Sequence, residues 1–370
     1  MPEEPPRHKT TPDQRAPADA SAASGAGLAA RYSRQILFDR IGEEGQRALC
    51  SSRVTLIGCG ALGTVIAETL VRAGVGFIRI CDRDFIERDN LQRQVLFDED
   101  DIAAGRPKAE AAALRLGRIN PDVVVEPRVI DVNPTNIEQL AEGAAILLDG
   151  TDNFETRFLI NDLAVKTHRP WIYGAVIGAT GLCMTVLPND TPCLRCVFEE
   201  APPPEMNPTC DTAGVIGPAV NVVASLQAVE AIKLLTGRRD EINRHLVNVD
   251  VWSGRIVNLS VQSAYDDGNC PCCKRGEFEF LDGNRASSAT TLCGRNAVQV
   301  NAPGARVIDL PAIAAKLEPI ASGPVMHNRF MLRAEIETYQ LTLFPDGRAI
   351  IKGTSDADTA RSVYAKYIGA

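Results

Sequence analysis

Gly58-Cys59-Gly60-Ala61-Leu62-Gly63 places three glycines where a strand would turn into a helix. Glycines at Gly58, Gly60 and Gly63 let backbone N–H groups approach a phosphate chain, which then rests on the positive end of the following helix. A second group consists of Arg93, Lys108 and Asp152-Asn153. Singly these read as solvated surface charges. Together they suit phosphoryl chemistry, in which Arg and Lys neutralise charge moving onto a departing pyrophosphate while a carboxylate holds Mg²⁺. Two Cys-x-x-Cys pairs, Cys193/Cys196 and Cys270/Cys273, form a third group. Four thiolates in two such pairs complete a closed tetrahedral Zn²⁺ site, and a redox disulfide at the first pair would leave the second unexplained. Cys270-Pro271-Cys272-Cys273 holds one thiol too many, and spacing favours Cys273 over Cys272. Cys210, in a loop before an apolar helix, has the setting of a nucleophile, since a positive helix end holds a thiolate.

These residues need a scaffold that alternates strand and helix. The pattern predicts a strand over Arg53–Ile57, a helix over Ala61–Ala73 and a strand over Phe77–Cys81 ending at Asp82, a βαβ unit. Asp82, about twenty residues past the turn, fits the carboxylate that accepts hydrogen bonds from ribose. At this point NAD and ATP fit the unit equally. A helix over Lys108–Ile119, strands over Val123–Val129 and Ala145–Leu148, and an apolar helix over Ala219–Leu235 extend a doubly wound α/β sheet. Asp149 to Asn153 then falls at the carboxyl end of a strand, where open α/β sheets bind ligands. Cys50, Cys59, Cys81 and Cys183 lie in apolar or Gly-rich segments and read as inert core residues.

The order of motifs resembles the ThiF/MoeB/HesA family, bacterial relatives of ubiquitin-activating enzymes. The matching stretches are Arg31 to Gln35, Gly58 to Gly63, Asn90 to Gln94, Gly105 to Lys108, Asp149 to Asn153 and both cysteine pairs. The resemblance runs from about residue 31 to 275. It implies a Rossmann-like nucleotide-binding domain that adenylates the carboxy-terminal glycine of a ubiquitin-like sulfur carrier ending in Gly-Gly. It implies a homodimer, an ATP site lined by Gly60, Asp82, Asn90, Arg93, Lys108 and Asp152, with Asp152 the Mg²⁺ ligand, and Arg34 reaching in from the partner subunit. Cys210 matches a cysteine that in some members joins the carrier covalently. The resemblance leaves open whether the carrier serves molybdopterin, thiamine, cysteine or tRNA thiolation. A dehydrogenase on the same βαβ unit and a non-catalytic carrier-binding scaffold are the competing classes.

Past Cys273 the resemblance fades. Residues 279–370 read as a small α+β domain: a strand over Leu292–Val300, a helix over Leu310–Ile320, strands over Phe330–Ile336, Tyr339–Phe344 and Arg348–Lys352, and a helix over Ala357–Ile368. Asp346-Gly347 marks a hairpin turn. Relatives of this kind often carry a sulfur-transferring rhodanese domain here, but Cys293-Gly294-Arg295-Asn296, with one Arg and a strand after it, fits such a loop poorly. A packing or protein-binding role suits it better, and the sulfur would come from a separate donor. Residues 1–30, rich in Pro, Ala, Ser and charge, read as a disordered tail with no secretory signal, and no membrane span stands out. The adenylation domain is expected over 31–278. The net charge of −8 gives no overall attraction to nucleic acid or an anionic membrane. Eleven cysteines in a long chain without a signal suggest a reducing cytoplasm.

Overall fold

The computed structural model describes residues 25–200, 213–266, 268–285, 289–292, 296–300 and 308–369. Two sheets organise them. The first has the order β3-β2-β1-β4-β5-β6-β7-β8, with β1 at Arg53–Ile57, β2 at Phe77–Asp82, β3 at Val124–Val129, β4 at Ile146–Asp149, β5 at Trp171–Ile177, β6 at Thr180–Val186, β7 at Leu246–Asp250 and β8 at Arg255–Leu259. Strands β1 to β5 pair in parallel and β6 to β8 add an antiparallel extension. This is the Rossmann-like α/β architecture expected from the alternation of elements. β4 is buried along its length, as befits a central parallel strand covered on both faces.

The Ala61–Ala73 and Lys108–Ile119 helices have the predicted bounds. The first stops at Gly74, whose φ of 89° is a left-handed turn that glycine adopts without strain. With the Gly217–Leu235 helix they pack on one face of the sheet, around Leu56, Ile66, Leu70, Ile80 and Val223. The Phe154–Lys166 helix covers the other face, with Phe158, Leu163 and Trp171 in its core. Gly217–Leu235 is long and apolar enough to cross a membrane by length and composition. Here it is a core helix: Val220, Val223 and Ala224 are fully buried.

The second sheet has the order β11-β12-β13-β14-β10-β9, formed by β9 at Ala289–Leu292, β10 at Ala297–Val300, β11 at Met326–His327, β12 at Leu332–Ile336, β13 at Tyr339–Leu343 and β14 at Ala349–Lys352. All its pairings are antiparallel, and the Leu310–Leu317 and Ala357–Tyr367 helices share its core. The single strand expected over Leu292–Val300 is instead a pair, because the chain reverses between Leu292 and Ala297. Asn296, at φ 45°, belongs to that reversal. At the other end, the Gly25–Ile36 helix begins inside the segment expected as tail. Cys210 and Cys293 lie outside the described residues.

Candidate functional site

The glycine turn and the loop after β4 are packed backbone against backbone. A Cβ on Gly58 would stand 2.5 Å from the Gly150 carbonyl oxygen, and one on Gly63 would stand 2.1 Å from the Gly58 oxygen. Neither distance admits a side chain, so these glycines are needed for close approach. Gly60 differs, since a Cβ there would meet nothing nearer than 3.9 Å. It leaves room rather than making contact. The two loops border a cleft of about 440 Å³, within the usual range for small-molecule sites. The cleft opens at the carboxyl ends of β1, β2 and β4, where the strand order reverses, the position at which open α/β sheets hold ligands.

Charged groups are threaded through this cleft in pairs. Asp82 accepts hydrogen bonds from the backbone N–H of Cys59 at 2.6 Å and of Asp84 at 2.7 Å, so it ties the glycine turn to β2. Burial pushes its carboxyl above the usual range while the Lys108 ammonium pulls the other way. Lys108, itself buried, sits 3.5 Å from Asp84. The Arg83 guanidinium meets Asp131 at 2.7 Å. Beneath the loop after β4, Asp149 is fully buried and accepts from Arg157 Nε at 3.1 Å and from the N–H and hydroxyl of Thr151. Arg157 also donates to the Thr151 and Gly174 carbonyls at 2.7 and 3.1 Å. Asp152, next to this anchored loop, is exposed and has no ion-pair partner within 4 Å among the described residues. Its carboxylate suits a hydrated Mg²⁺, which binds oxygen donors and keeps several waters.

Of the residues predicted from sequence, Gly58, Gly60, Asp82, Arg93, Lys108, Asp152 and Asn153 all border the cleft. Two others do not. Gly63 is turned into the packing against Gly58, and Asn90 is only 1% exposed. Asn90 accepts from the Glu87 N–H at 3.2 Å and closes a turn, so it shapes the segment carrying Arg93 rather than facing the cleft. Asn153 has a structural task as well, since its side chain accepts from the Thr156 N–H and caps the Phe154–Lys166 helix. Arg34 is exposed and stands apart from the cleft of its own chain. Sequence reasoning missed Arg83, Gln94 and Arg157, and it missed every contribution from the second sheet: Arg333, Thr342, Phe344, Ile350 and Lys352. A signal existed for Arg157, an arginine one turn into a largely apolar helix. For the second sheet there was none.

Cys193, Cys196, Cys270 and Cys273 form a cluster in which all four sulfurs lie within 4.8 Å of one another. Neighbouring Sγ atoms are 3.4 to 3.8 Å apart. A tetrahedron with metal–sulfur bonds of about 2.3 Å has sulfur–sulfur edges of about 3.8 Å, so the cluster has the size and donor chemistry for Zn²⁺. Cys272 stands outside this group, buried, with its sulfur 3.3 Å from the Asn161 amide that donates to it. Cys59, Cys81 and Cys183 are core groups as expected, whereas Cys50 is only half-buried. Cys59 and Cys183 are pushed well up by burial and Cys81 up to about 12.

Fold, cleft and cysteines together define an α/β protein with a phosphate-type glycine turn at the switch point of a mixed sheet and a separate four-thiol metal-type cluster. The ThiF family matches residues 32–272, and the chain belongs to that family. It is 45% identical over 342 residues to the sulfur carrier protein ThiS adenylyltransferase of Bacillus subtilis, a match covering 92% of this chain and all of the relative. The Escherichia coli protein of that same name is 42% identical over 244 residues, covering 66% of this chain and 94% of the relative. Among solved structures, E. coli MccB with MccA-N7isoASN aligns with a TM-score of 0.58 at 25% identity, over 66% of this chain and 74% of that one.

Proposed function

We propose that this chain is an adenylyltransferase for a ubiquitin-like sulfur carrier of the ThiS type. The observation that carries this reading is the cleft itself, where the glycine turn, Arg93, Lys108 and the unpaired Asp152 meet at the sheet's switch point. The printed activity of the B. subtilis relative, aligned over its whole length, supports the same reading. One carboxylate oxygen of the carrier's terminal glycine attacks the α-phosphorus of ATP. The bond from that phosphorus to the bridging oxygen breaks, pyrophosphate leaves with the electron pair, and an acyl-adenylate forms. The attacking carboxylate is ionised at neutral pH, so no general base is required.

Positioning and charge stabilisation therefore do most of the work. The Gly58 and Cys59 N–H groups already donate to the Cys81 carbonyl and to Asp82, so the Gly60 N–H and the first turn of the Ala61–Ala73 helix hold phosphate oxygens. Asp82 fixes the turn and faces the ribose, and Arg93 and Lys108 offset charge on the leaving pyrophosphate. Mg²⁺, when bound, would neutralise phosphate charge, and Asp152 is the residue here that would hold it. Arg34 would complete the site from the partner subunit of a homodimer. Cys193, Cys196, Cys270 and Cys273 would hold a structural Zn²⁺ that staples the 193–196 segment to the segment after β8. Cys210 would serve as a covalent relay to the carrier, and sulfur would come from a separate donor in the cytoplasm. Residues 279–370 would form an accessory domain.

The test is ATP–pyrophosphate exchange with a purified carrier ending in Gly-Gly. Exchange should depend on the carrier and fall by about 10²-fold or more in Asp152→Ala, the scale of removing one charge-stabilising group. The substitution should leave stability nearly unchanged because Asp152 is exposed. Carrier binding without exchange would favour a scaffold, and exchange undiminished in folded Asp152→Ala would remove that residue from the site.

A further inference from the structure

The second sheet has two unlike faces. Leu332, Ala334, Leu341, Leu343 and Ile351 point into its own core. On the other face the strand register sets Arg333 of β12, Thr342 of β13 and Ile350 of β14 in one cross-strand row, and all three border the cleft. An antiparallel sheet with one buried face ordinarily turns the other to water. Here that face covers the nucleotide-type cleft, docked by named contacts. Lys352 meets Glu87 at 2.7 Å, Gln299 donates to Asp131 at 2.9 Å, Asn328 donates to the Gly105 carbonyl at 3.0 Å, and Phe344 stacks on Phe85 with ring centroids 5.8 Å apart.

Docking thus consumes Lys352 but not Arg333. Arg333 is half-buried, borders the cleft and has no carboxylate within 4 Å among the described residues. A half-buried guanidinium that borders a cleft and lacks a counter-charge is completed most directly by a phosphate oxygen. We propose that Arg333 is a nucleotide-binding residue that holds a phosphate of ATP, so that the second sheet is part of the nucleotide site. The inference rests on reading the cleft as the ATP site. The aligned 342 residues shared with the B. subtilis relative necessarily span position 333, whereas the match to the E. coli relative leaves little of that protein to form a second sheet. Since both relatives bear one name, Arg333 should set nucleotide affinity rather than the chemical step.

Isothermal titration of the full chain with Mg-ATP and with adenosine, alongside exchange kinetics, tests this. Arg333→Met keeps the apolar stem, and Arg333→Gln guards against a folding artefact; unfolding midpoints without ligand identify a variant that is merely destabilised. Both variants should bind Mg-ATP about tenfold or more weakly, the scale of one hydrogen bond to a charged group. Adenosine and carrier affinities should not move, and KM for ATP should rise with kcat nearly constant. Unchanged ATP affinity in the folded variants overturns the inference. So does an equal loss for adenosine, which would make Arg333 a packing residue, or a loss confined to carrier binding, which would assign it to the carrier's carboxylate. If the unmodified chain binds no ATP, the reading of the cleft fails instead.

Discussion

Arg157→Met isolates what anchors the loop that carries Asp152. The wild-type arginine makes three hydrogen bonds, to Asp149 and to the Thr151 and Gly174 carbonyls, in a place almost closed to solvent. Methionine can still pack its stem near the Phe154 and Tyr173 rings, so the cavity contribution is small. What remains is a buried carboxylate without its counter-charge, the situation in which breaking a buried pair costs about 3–5 kcal/mol. Urea unfolding followed by tryptophan fluorescence suits the measurement, because Trp171 is buried beside Tyr173 while Trp252 is exposed in the folded state. Exchange activity should fall too, since the Gly150 to Asn153 loop loses its support.

The pH dependence follows from the same geometry. Burial already raises the Asp149 carboxyl above its ordinary value with Arg157 opposing it, and removing Arg157 raises it further. Between the unfolded value near 3.9 and that higher folded value, the folded variant holds a proton that the unfolded chain lacks. Stability in that window falls as pH rises, so the deficit should be larger at pH 8 than at pH 5. Asp149→Asn added to Arg157→Met should recover at least about 1 kcal/mol relative to the sum of the single losses, because the neutral amide removes the stranded charge. A loss below about 1 kcal/mol for Arg157→Met, with no pH trend, would refute the account of the loop's anchor.

Metal analysis should find one Zn²⁺ per chain, lost with about 10²-fold or greater weakening in Cys193→Ser or Cys273→Ser but retained in Cys272→Ser, whose sulfur lies outside the cluster. Release of metal from Cys272→Ser alone would reverse the ligand assignment. Mixing Arg34→Ala with Arg93→Ala protein should restore measurable exchange if subunits exchange, since one composite site in the heterodimer is then intact. Absence of rescue with proven exchange would place Arg34 outside the site.

Much of the first sheet was legible because parallel βαβ units write themselves locally: an apolar run, a glycine turn and an amphipathic helix recur in order, and β1 and the two helices at Ala61 and Lys108 begin and end at their predicted residues. The four metal-type cysteines were legible for a similar reason, since ligand spacing is a local pattern even when two pairs are distant in the chain. The reversal at Asn296 was missed because an apolar residue on either side of a short turn resembles one continuous strand. Asn90 and Asn153 show what only packing decides: both are polar and near the motifs, but one closes a turn and the other caps a helix. Arg333 is the sharper case. In sequence its alternation with Leu332 and Ala334 marks only the side of a strand away from its core, and whether that side meets water or a cleft depends on how two separately formed sheets dock. Docking is set by side chains far apart in the chain, such as Phe85 with Phe344 and Glu87 with Lys352, and no local period encodes such a pairing.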